Sequence, residues 1–242
     1  MPALKRILVV RNDKLGDFML ALPVFHLLKR ALPNTAIHAL VPAYTKSLAD
    51  ACEAIDAVQT DPGANASQLQ QLRLLRSVRS AHYDAMVTLF STTRIGLLGL
   101  LAGIRYRLAP ATKLAQVFYN SRLVQRRSRS AQPEYAYNLD IGERCLRDLG
   151  VAIPERPPPP YLKFADDVVT GLRHAFCEAN GIPHSHRLVF AHPGSGGSAS
   201  NLAPAQFATL AQALRSDRGH TVVVSAGPDE IDHARQVADR LD

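Results

Sequence analysis

Cysteines are few in this sequence, and clusters of metal-binding residues are missing. The 242 residues include three cysteines, Cys52, Cys145 and Cys177, which lie far apart in the chain. No CxxC pair and no Cys/His cluster occurs, so neither a disulfide framework nor a structural zinc site is expected. The scattered histidines have no metal-ligand spacing. We therefore predict a protein of the reducing cytosol that uses no metal and no cofactor.

Long hydrophobic runs are also absent. The longest uncharged apolar run covers residues 95–104, which is ten residues and about half of what a membrane-spanning helix needs. The apolar run that follows Lys5 and Arg6 is too short for a signal peptide. The sequence thus predicts a cytoplasmic protein that does not cross the membrane.

Acidic residues are missing from residues 85–133, a segment that contains eight basic ones. The charge of this segment, +8, is therefore larger than the net charge of the whole chain, +7. A local positive field favours an anionic partner, such as a phosphorylated substrate or an anionic membrane surface, and a solvated basic loop is the alternative. Nucleic acid is not an expected partner, because only Phe118 and Tyr119 interleave the charges and no binding motif occurs.

Strands and helices alternate along the first half of the chain, which predicts an α/β fold with a parallel sheet. Strand-like runs cover residues 7–11, 36–41, 57–60, 85–90 and 106–108, and helical patterns cover residues 23–31, 44–52, 67–81, 93–102 and 134–149. In the helix 67–81 we predict a buried stripe formed by Leu69, Leu72, Leu75 and Val78. Residues 109–133 are weakly periodic and are predicted to be a long loop or a partly ordered excursion.

A proline run marks the boundary between two predicted domains. Residues 157–160 are four consecutive prolines, which favour a stiff extended connector. We predict a first domain over residues 1–150, a linker over 151–163 and a second domain over 164–242. A doubly wound domain has about five or six strands, and only 188–192 and 221–225 have strand character here. We therefore expect the second domain to be incomplete in this chain.

A glycine- and serine-rich turn follows the strand 188–192. Residues 193–201 read Pro-Gly-Ser-Gly-Gly-Ser-Ala-Ser-Asn and precede a helix, where converging backbone N–H groups favour an anion. Glycines allow close approach of the backbone, and serine hydroxyls donate to phosphate oxygens. A flexible connection is the alternative interpretation. His192, just before the turn, binds a nucleotide, helps to orient the loop or is a buried, hydrogen-bonded histidine.

The turn matches neither the dinucleotide fingerprint GxGxxG nor a Walker loop. A ribose-binding acid after the first strand is also missing. An NAD-dependent oxidoreductase therefore fits this sequence poorly.

The second candidate site lies at the carboxyl end of the first strand, where open α/β sheets bind their ligands. Asp17 follows Gly16 there, and Pro23 suits a first helical turn, so we expect Asp17 in the loop just ahead of the helix. A carboxylate at this place can accept a proton from a substrate hydroxyl. A helix N-cap or a first-turn helical aspartate is the alternative role for Asp17, and Asp13 competes with it as the base.

Two motifs in the chain are specific when taken together. The first motif is Arg11-(x)3-Leu15-Gly16-Asp17-(x)5-Pro23, and the second is His192-Pro193-Gly194-Ser195-Gly196-Gly197-Ser198-Ala199 with Asn201. Together they resemble glycosyltransferase family 9, the lipopolysaccharide heptosyltransferases. The resemblance implies a GT-B fold, in which two Rossmann-like domains with parallel sheets bind the acceptor and the nucleotide-sugar respectively. Here the second of these domains is expected to be incomplete.

The resemblance also implies a reaction. It is the inverting, metal-independent transfer of a heptose from ADP-heptose to an anionic lipopolysaccharide core acceptor, at the inner face of the cytoplasmic membrane. Asp17 matches the general base of the family. The implied donor-binding residues are His192, Gly194, Ser195, Gly196, Gly197, Ser198, Ser200 and Asn201. The basic block would meet the acceptor, with Arg94, Arg122, Arg126 and Arg127 as the candidate contacts.

Two departures from the family pattern support a rival hypothesis. Ser200 stands where the family usually has Lys or Arg, and its neutral side chain removes a charge-assisted contact to the diphosphate. The later Asp-(Thr/Ser)-Gly…His segment of the family has no counterpart before Asp242. The alternative is therefore a degenerate or truncated paralogue that binds an anionic glycan or a nucleotide without catalysis.

Overall fold

The computed structural model of the protein describes residues 4–111, 114–195, 201–215, 219–227 and 230–241. The chain divides into two units, Met1–Lys163 and Phe164–Asp242. The proline-rich segment 151–163 falls within the first unit, where Tyr161 and Leu162 pack against its core.

A parallel sheet with helices on both faces forms the first unit. Its strands are β1 (Arg6–Val10), β2 (Ala36–Pro42), β3 (Ala57–Asp61), β4 (Ala85–Thr88), β5 (Tyr106–Pro110) and β6 (Ser121–Leu123). Its helices are α1 (Leu15–Met19), α2 (Leu22–Ala31), α3 (Lys46–Asp50), α4 (Gln68–Ser80), α5 (Thr93–Leu101) and α6 (Glu134–Asp148). Within the described ranges, no helix is long and apolar enough to cross a membrane.

The strand order β3-β2-β1-β4-β5-β6 places β1 in the middle of the sheet, parallel to both neighbours. Ile7 and Val9 pack with α2 and α6 on one face, whereas Leu8 and Val10 pack with α4 and α5 on the other. A strand buried on both faces is continuously apolar, as parallel sheets require. The order reverses direction between β1 and β4, so the loop after β1 lies at the topological switch point. The predicted α/β fold with a parallel sheet is confirmed.

Residues 109–133 are not a plain long loop but fit the other alternative, a partly ordered excursion. This segment contains β6 and two 3-10 turns, Leu114–Phe118 and Arg127–Arg129. β6 has only three residues, and it joins the sheet by backbone pairing, with Leu108 opposite Ser121. A strand this short and polar has no alternation of apolar residues by which the sequence could reveal it.

The predicted buried stripe of α4 is also wrong in part. Leu74 and Val78 are buried, whereas Leu69 is 54% exposed and Leu72 is 48% exposed. An α-helix has 3.6 residues per turn, so residues at steps of three drift around the helix and leave the buried face. Leu69 and Leu72 therefore point to the opposite side of α4.

The second unit consists of a parallel strand pair with helices before, between and after the strands. In chain order it contains α7 (Asp166–Ala179), β7 (Arg187–Ala191), α8 (Pro204–Arg215), β8 (His220–Val224) and α9 (Ile231–Ala238). Arg187 pairs with His220 at one end of the ladder and Ala191 with Val224 at the other. Both strands lie where strand character was predicted, at residues 188–192 and 221–225.

Gly96 provides a test of the packing of α5 against the turn Leu114–Phe118. A Cβ atom at Gly96 would lie 2.7 Å from Phe118 Cβ and 3.0 Å from Tyr119 Cε2. Phe118 Cβ is fixed to its backbone and cannot swing away, so we expect Gly96→Ala to lower the free energy of unfolding by about 1–3 kcal/mol.

Gly171, in the middle of α7, is the matched control because no atom lies within 4 Å of a Cβ placed there. We expect Gly171→Ala to raise the free energy of unfolding by about 0.5–1 kcal/mol, since glycine is costly inside a helix. Urea unfolding followed by far-UV circular dichroism measures both changes. Unchanged stability in Gly96→Ala would contradict this packing.

Candidate functional site

The loop after β1 is organised by a buried arginine. Arg11 directly follows β1, and its side chain is 3% exposed. Its Nε lies 2.7 Å from Asp13 Oδ1, its Nη2 lies 3.1 Å from Asp17 Oδ1, and its Nη1 lies 3.3 Å from Glu134 Oε1. A planar guanidinium binds carboxylates in fixed directions. Arg11 therefore holds these side chains around a single point at the carboxyl edge of the sheet.

A second arginine, Arg127, contacts two residues that Arg11 also contacts. Arg127 pairs with Glu134, and its Nη2 donates to Asn138 Oδ1 at 3.4 Å. Its guanidinium also lies 5.7 Å from the centre of the Tyr137 ring, within the range of a cation–π interaction. Burial lowers the pKa of Arg127, and the nearby Glu134 carboxylate opposes this shift.

The position of Asp17 differs in one respect from the prediction. It lies in the first turn of α1, as the first-turn alternative has it, and not in a loop ahead of the helix. The N-cap is Lys14, whose backbone is extended and whose carbonyl accepts from the Phe18 N–H at 3.0 Å, so the helix begins at Leu15. Helix α1 ends at Met19, and Pro23 lies in the first turn of the following α2. The carboxylate of Asp17 thus sits on a short separate helix at the switch point.

Exposure distinguishes Asp17 from its competitor Asp13. The Asp17 side chain is 36% exposed and the Asp13 side chain is 15% exposed. Burial raises the pKa of Asp13 above its usual value, although the adjacent Arg11 opposes this shift. Asp17 is therefore the more accessible of the two carboxylates for a bound substrate.

A second ion pair lies at the same edge of the sheet. Asp61, at the end of β3, accepts from Arg94 Nη1 at 2.8 Å and from Arg94 Nη2 at 2.5 Å, and Asn12 Nδ2 donates to it at 2.5 Å. Asn12 belongs to the loop after β1, and its buried Oδ1 has no hydrogen-bond partner among the described residues. The pair thus links the start of α5 to the loop that carries the Arg11 cluster.

The Asp61–Arg94 pair predicts a loss of stability in acid. Burial by itself opposes ionisation of Asp61, but hydrogen bonds from Arg94 and Asn12 outweigh it and lower the pKa of Asp61. A lowered folded-state pKa contributes stability above the unfolded-state value, and this contribution is lost as the pH falls through the folded-state value.

We expect Asp61→Asn to lower the free energy of unfolding by about 1–3 kcal/mol at neutral pH. The difference from the wild type should shrink as urea titrations are repeated at pH values falling below about 4. Asp50→Asn, which alters a surface pair with Lys46, is the control, with an expected change of about 0.5 kcal/mol or less. An Asp61→Asn effect that is independent of pH would contradict the assignment.

The arginines predicted to bind the acceptor fall into two groups. Arg94 and Arg127 are held by Asp61 and Glu134 at the carboxyl edge of the sheet. Arg122 and Arg126 have exposed side chains, and neither forms an ion pair within the part of the chain that the structure describes. Arg126 immediately precedes Arg127 in the chain and lies just before the turn Arg127–Arg129.

In the second unit, the predicted donor loop is described only at its ends. Gly196, Gly197, Ser198 and Ser200 lie outside the described residues. Asn201 Nδ2 donates to the Pro193 carbonyl at 3.1 Å, which ties the two ends of the loop together. His192 is 51% exposed, and its Nδ1 lies 3.2 Å from Ser225 Oγ. The buried-histidine alternative for His192 therefore does not hold.

Glu230, which was not among the predicted site residues, reaches this loop from the turn after β8. Its carboxylate occupies the space that a Cβ at Gly194 would fill, and its Oε2 lies 3.7 Å from His192 Nε2. The missing side chain at Gly194 thus leaves room for the Glu230 carboxylate beside the loop. Arg11, Glu134 and Asn138 were likewise not predicted as site residues, although the position of Arg11 directly after an apolar strand was a usable signal.

The geometry supplies an oriented carboxylate in the first unit and a glycine turn bordered by polar side chains in the second. Over the described ranges, no group of three or more His, Cys, Asp and Glu side chains could hold a metal ion. The three carboxylates around Arg11 are instead paired with the guanidinium groups of Arg11 and Arg127, which neutralise part of their charge. Such a set can orient a hydroxyl-bearing substrate and accept its proton.

A relative in Haemophilus influenzae matches nearly the whole chain, although no family model matches it. That protein is named "Putative glycosyltransferase", and it is 43% identical over 235 residues, which make up 97% of this chain and 67% of the relative.

Solved structures share the fold at low sequence identity. A glycosyltransferase of family 9 from Veillonella parvula has a TM-score of 0.79 at 17% identity, covering 98% of this chain and 67% of its own. The E. coli ADP-heptose lps heptosyltransferase II has a TM-score of 0.75 at 18% identity, covering 98% of this chain and 69% of its own. An E. coli heptosyltransferase solved with ADP has a TM-score of 0.66 at 15% identity, covering 97% and 72% respectively. The predicted GT-B-like α/β fold is confirmed by these likenesses.

Proposed function

The chain belongs to glycosyltransferase family 9, and from this premise we propose that it transfers a heptose from ADP-heptose to an anionic lipopolysaccharide core acceptor. The transfer inverts the configuration at the anomeric carbon and needs no metal ion. It takes place at the inner face of the cytoplasmic membrane. The observation that carries this proposal is the Asp17 carboxylate, which is partly exposed and oriented by Arg11 at the switch point of the sheet.

Asp17 is proposed as the general base. It accepts the proton of an acceptor hydroxyl while the hydroxyl oxygen forms a bond to the anomeric carbon of the donor. The bond from that carbon to the diphosphate oxygen breaks on the opposite face, so the configuration inverts and the nucleoside diphosphate leaves with the electron pair. Arg11 contributes by holding the carboxylate in one orientation, which keeps the base within reach of the hydroxyl.

The turn after β7 is proposed to bind the diphosphate of the donor. Gly194 and Ser195, with Gly196, Gly197, Ser198, Ser200 and Asn201, precede α8, and backbone N–H groups there can stabilise the negative charge that develops on the leaving group. His192 borders the same turn. The Glu230 carboxylate now lies against Gly194, and a phosphate at that position must displace it because both groups are negatively charged.

The anionic acceptor is proposed to contact the basic edge of the first unit. Arg122 and Arg126 are exposed and can bind phosphate or carboxylate groups directly. Arg94 and Arg127 are already paired with the carboxylates of Asp61 and Glu134. Their positive charge is therefore shared between these carboxylates and a bound acceptor.

A transfer assay tests the proposal. The purified protein is incubated with ADP-heptose and a water-soluble Kdo-bearing acceptor that lacks acyl chains, and the product is examined by mass spectrometry and NMR spectroscopy. We expect addition of one heptose with inverted anomeric configuration, and no addition from a UDP-sugar. Folded protein that binds ADP in calorimetry yet transfers nothing would instead support the non-catalytic alternative, and retention of configuration would contradict the inverting mechanism.

A further inference from the structure

The outer surface of α4 and α5 combines exposed leucines with arginines. Both helices pack on the same side of the sheet, where Leu74 and Val78 of α4 share a core with Ile95 and Leu98 of α5. We name the surface on the opposite side of these helices the α4–α5 face. It consists of Leu69, Leu72, Arg73, Arg76 and Arg79 of α4 and Leu97, Leu100 and Leu101 of α5.

The leucines of the α4–α5 face are exposed on both helices. On α5, Leu97 is 39%, Leu100 is 44% and Leu101 is 53% exposed, even though the same helix already buries Ile95 and Leu98. A helix that is apolar all round is normally covered on both sides. Contiguous exposed apolar side chains of this kind mark an interaction surface.

Charge of one sign surrounds these leucines. Arg73, Arg76 and Arg79 lie on the outer side of α4, and neither helix contains an acidic residue. Across residues 62–133 the only acidic residue in the sequence is Asp84. Its carboxylate is engaged by the backbone N–H groups of Lys5 and Arg6, at 2.6 and 2.9 Å. The partner that covers this face must therefore bring its own negative charge.

We propose that the α4–α5 face binds the surface of an anionic phospholipid bilayer. Leucines that insert among the acyl chains, with arginines at headgroup level, are the pattern of helices that lie in the plane of a membrane. Each arginine adds attraction to anionic lipid. A second copy of this chain fits less well, because a two-fold interface would place these arginines against their own copies with no acidic residue to neutralise them.

The orientation of the helices relates this face to the candidate site. Helix α5 begins beside Arg94, which is bound to Asp61 at the carboxyl edge of the sheet, and its axis leads away from that edge. Leu97 to Leu101 follow at about 1.5 Å per residue, so they start within about one helical turn of Arg94. A bilayer on this face would therefore lie alongside the site. The inference deepens the proposed function, since it names the surface that would hold the protein near a lipid-linked acceptor.

Vesicle flotation tests the inference without requiring transfer. The wild type is compared with Leu97→Gln/Leu100→Gln/Leu101→Gln and with Arg73→Gln/Arg76→Gln/Arg79→Gln, on vesicles of phosphatidylglycerol with phosphatidylcholine and on phosphatidylcholine alone. We expect the wild type to bind only the anionic vesicles, and less at high salt. The arginine variant should bind anionic vesicles about 100-fold more weakly than the wild type, at about fivefold per arginine. The leucine variant should bind them more weakly by about 100-fold or more.

A matched control changes three exposed apolar residues on another helix. Val168→Gln/Val169→Gln/Leu172→Gln alters α7, where the side chains are 49%, 49% and 69% exposed and the helix begins with Asp166 and Asp167. We expect this variant to bind vesicles like the wild type. Circular dichroism confirms folding of each variant.

Three outcomes would overturn the inference: no binding to anionic vesicles, binding that survives in both face variants, or a dimer in light scattering that only the leucine variant abolishes. Transfer to the water-soluble acceptor should be the same in the face variants and the wild type. A wild type that transfers heptose to the soluble acceptor but does not bind vesicles would contradict only the inference about this surface. A wild type that binds vesicles but transfers no heptose would contradict only the proposed function.

Discussion

We expect the Asp17→Asn variant to transfer heptose with a kcat about 10²–10⁴-fold below that of the wild type, which is the usual contribution of a general base. An asparagine side chain has the same shape and keeps an oxygen for Arg11, but it cannot accept a proton from the acceptor hydroxyl. The KM for the donor should change little, because the proton transfer concerns the transition state and not ground-state binding.

The neighbouring Asp13 makes this a discriminating experiment. Asp13 binds the same guanidinium at 2.7 Å but is only 15% exposed, so it is poorly placed to contact a substrate. Asp13→Asn should lower kcat about tenfold or less, through a looser Arg11. A larger loss in Asp13→Asn than in Asp17→Asn would move the base to Asp13. Equal activity of Asp17→Asn and wild type would exclude a catalytic role for Asp17.

The second large effect is expected from Arg11→Met. Removing one partner from a buried ion pair leaves uncompensated charge and costs about 3–5 kcal/mol. Asp13, Asp17 and Glu134 retain 15%, 36% and 28% exposure, so water can solvate part of the charge that Arg11 leaves behind. We therefore expect a loss of about 3 kcal/mol, at the lower end of that range, together with a loss of transfer.

Stability and positioning can be separated with two further variants. Lys46→Met removes an exposed pair with Asp50 on α3 and should change the free energy of unfolding by about 0.5 kcal/mol or less. Arg11→Lys keeps the charge but not the planar fork, so we expect part of the stability to return while kcat stays low. Because the chain has no tryptophan, far-UV circular dichroism follows the urea unfolding. Wild-type stability of Arg11→Met would contradict the role of Arg11 as the centre of the cluster.

Much of the scaffold could be predicted because its signals are local. The apolar runs of β1 and β4 are continuous, as in strands covered on both faces of a parallel sheet, and the strands alternate with helical patterns. The glycine before Asp17 and the glycine turn after residue 192 stand directly after strands. Their places at strand ends therefore followed from the chain order.

Other features depended on residues that are distant in the chain. Arg11 meets Glu134 across 123 positions, and Glu230 meets Gly194 because two parallel strands bring their following turns together. β6 carries no apolar alternation and is held by backbone pairing with β5, by a hydrogen bond from Ser121 to Asp148 and by packing of Leu123 against the core.

The α4–α5 face shows which features the sequence specifies and which the tertiary structure decides. The sequence by itself determined that residues 62–133 are basic and that α4 and α5 are rich in leucine. Which leucines are buried was decided by the tertiary structure, which turned Leu74 and Val78 to the sheet and Leu69 and Leu72 outward. The physical reason is that a pattern along the chain specifies the period of a helix, whereas its rotation is set by the side chains that fit against the sheet.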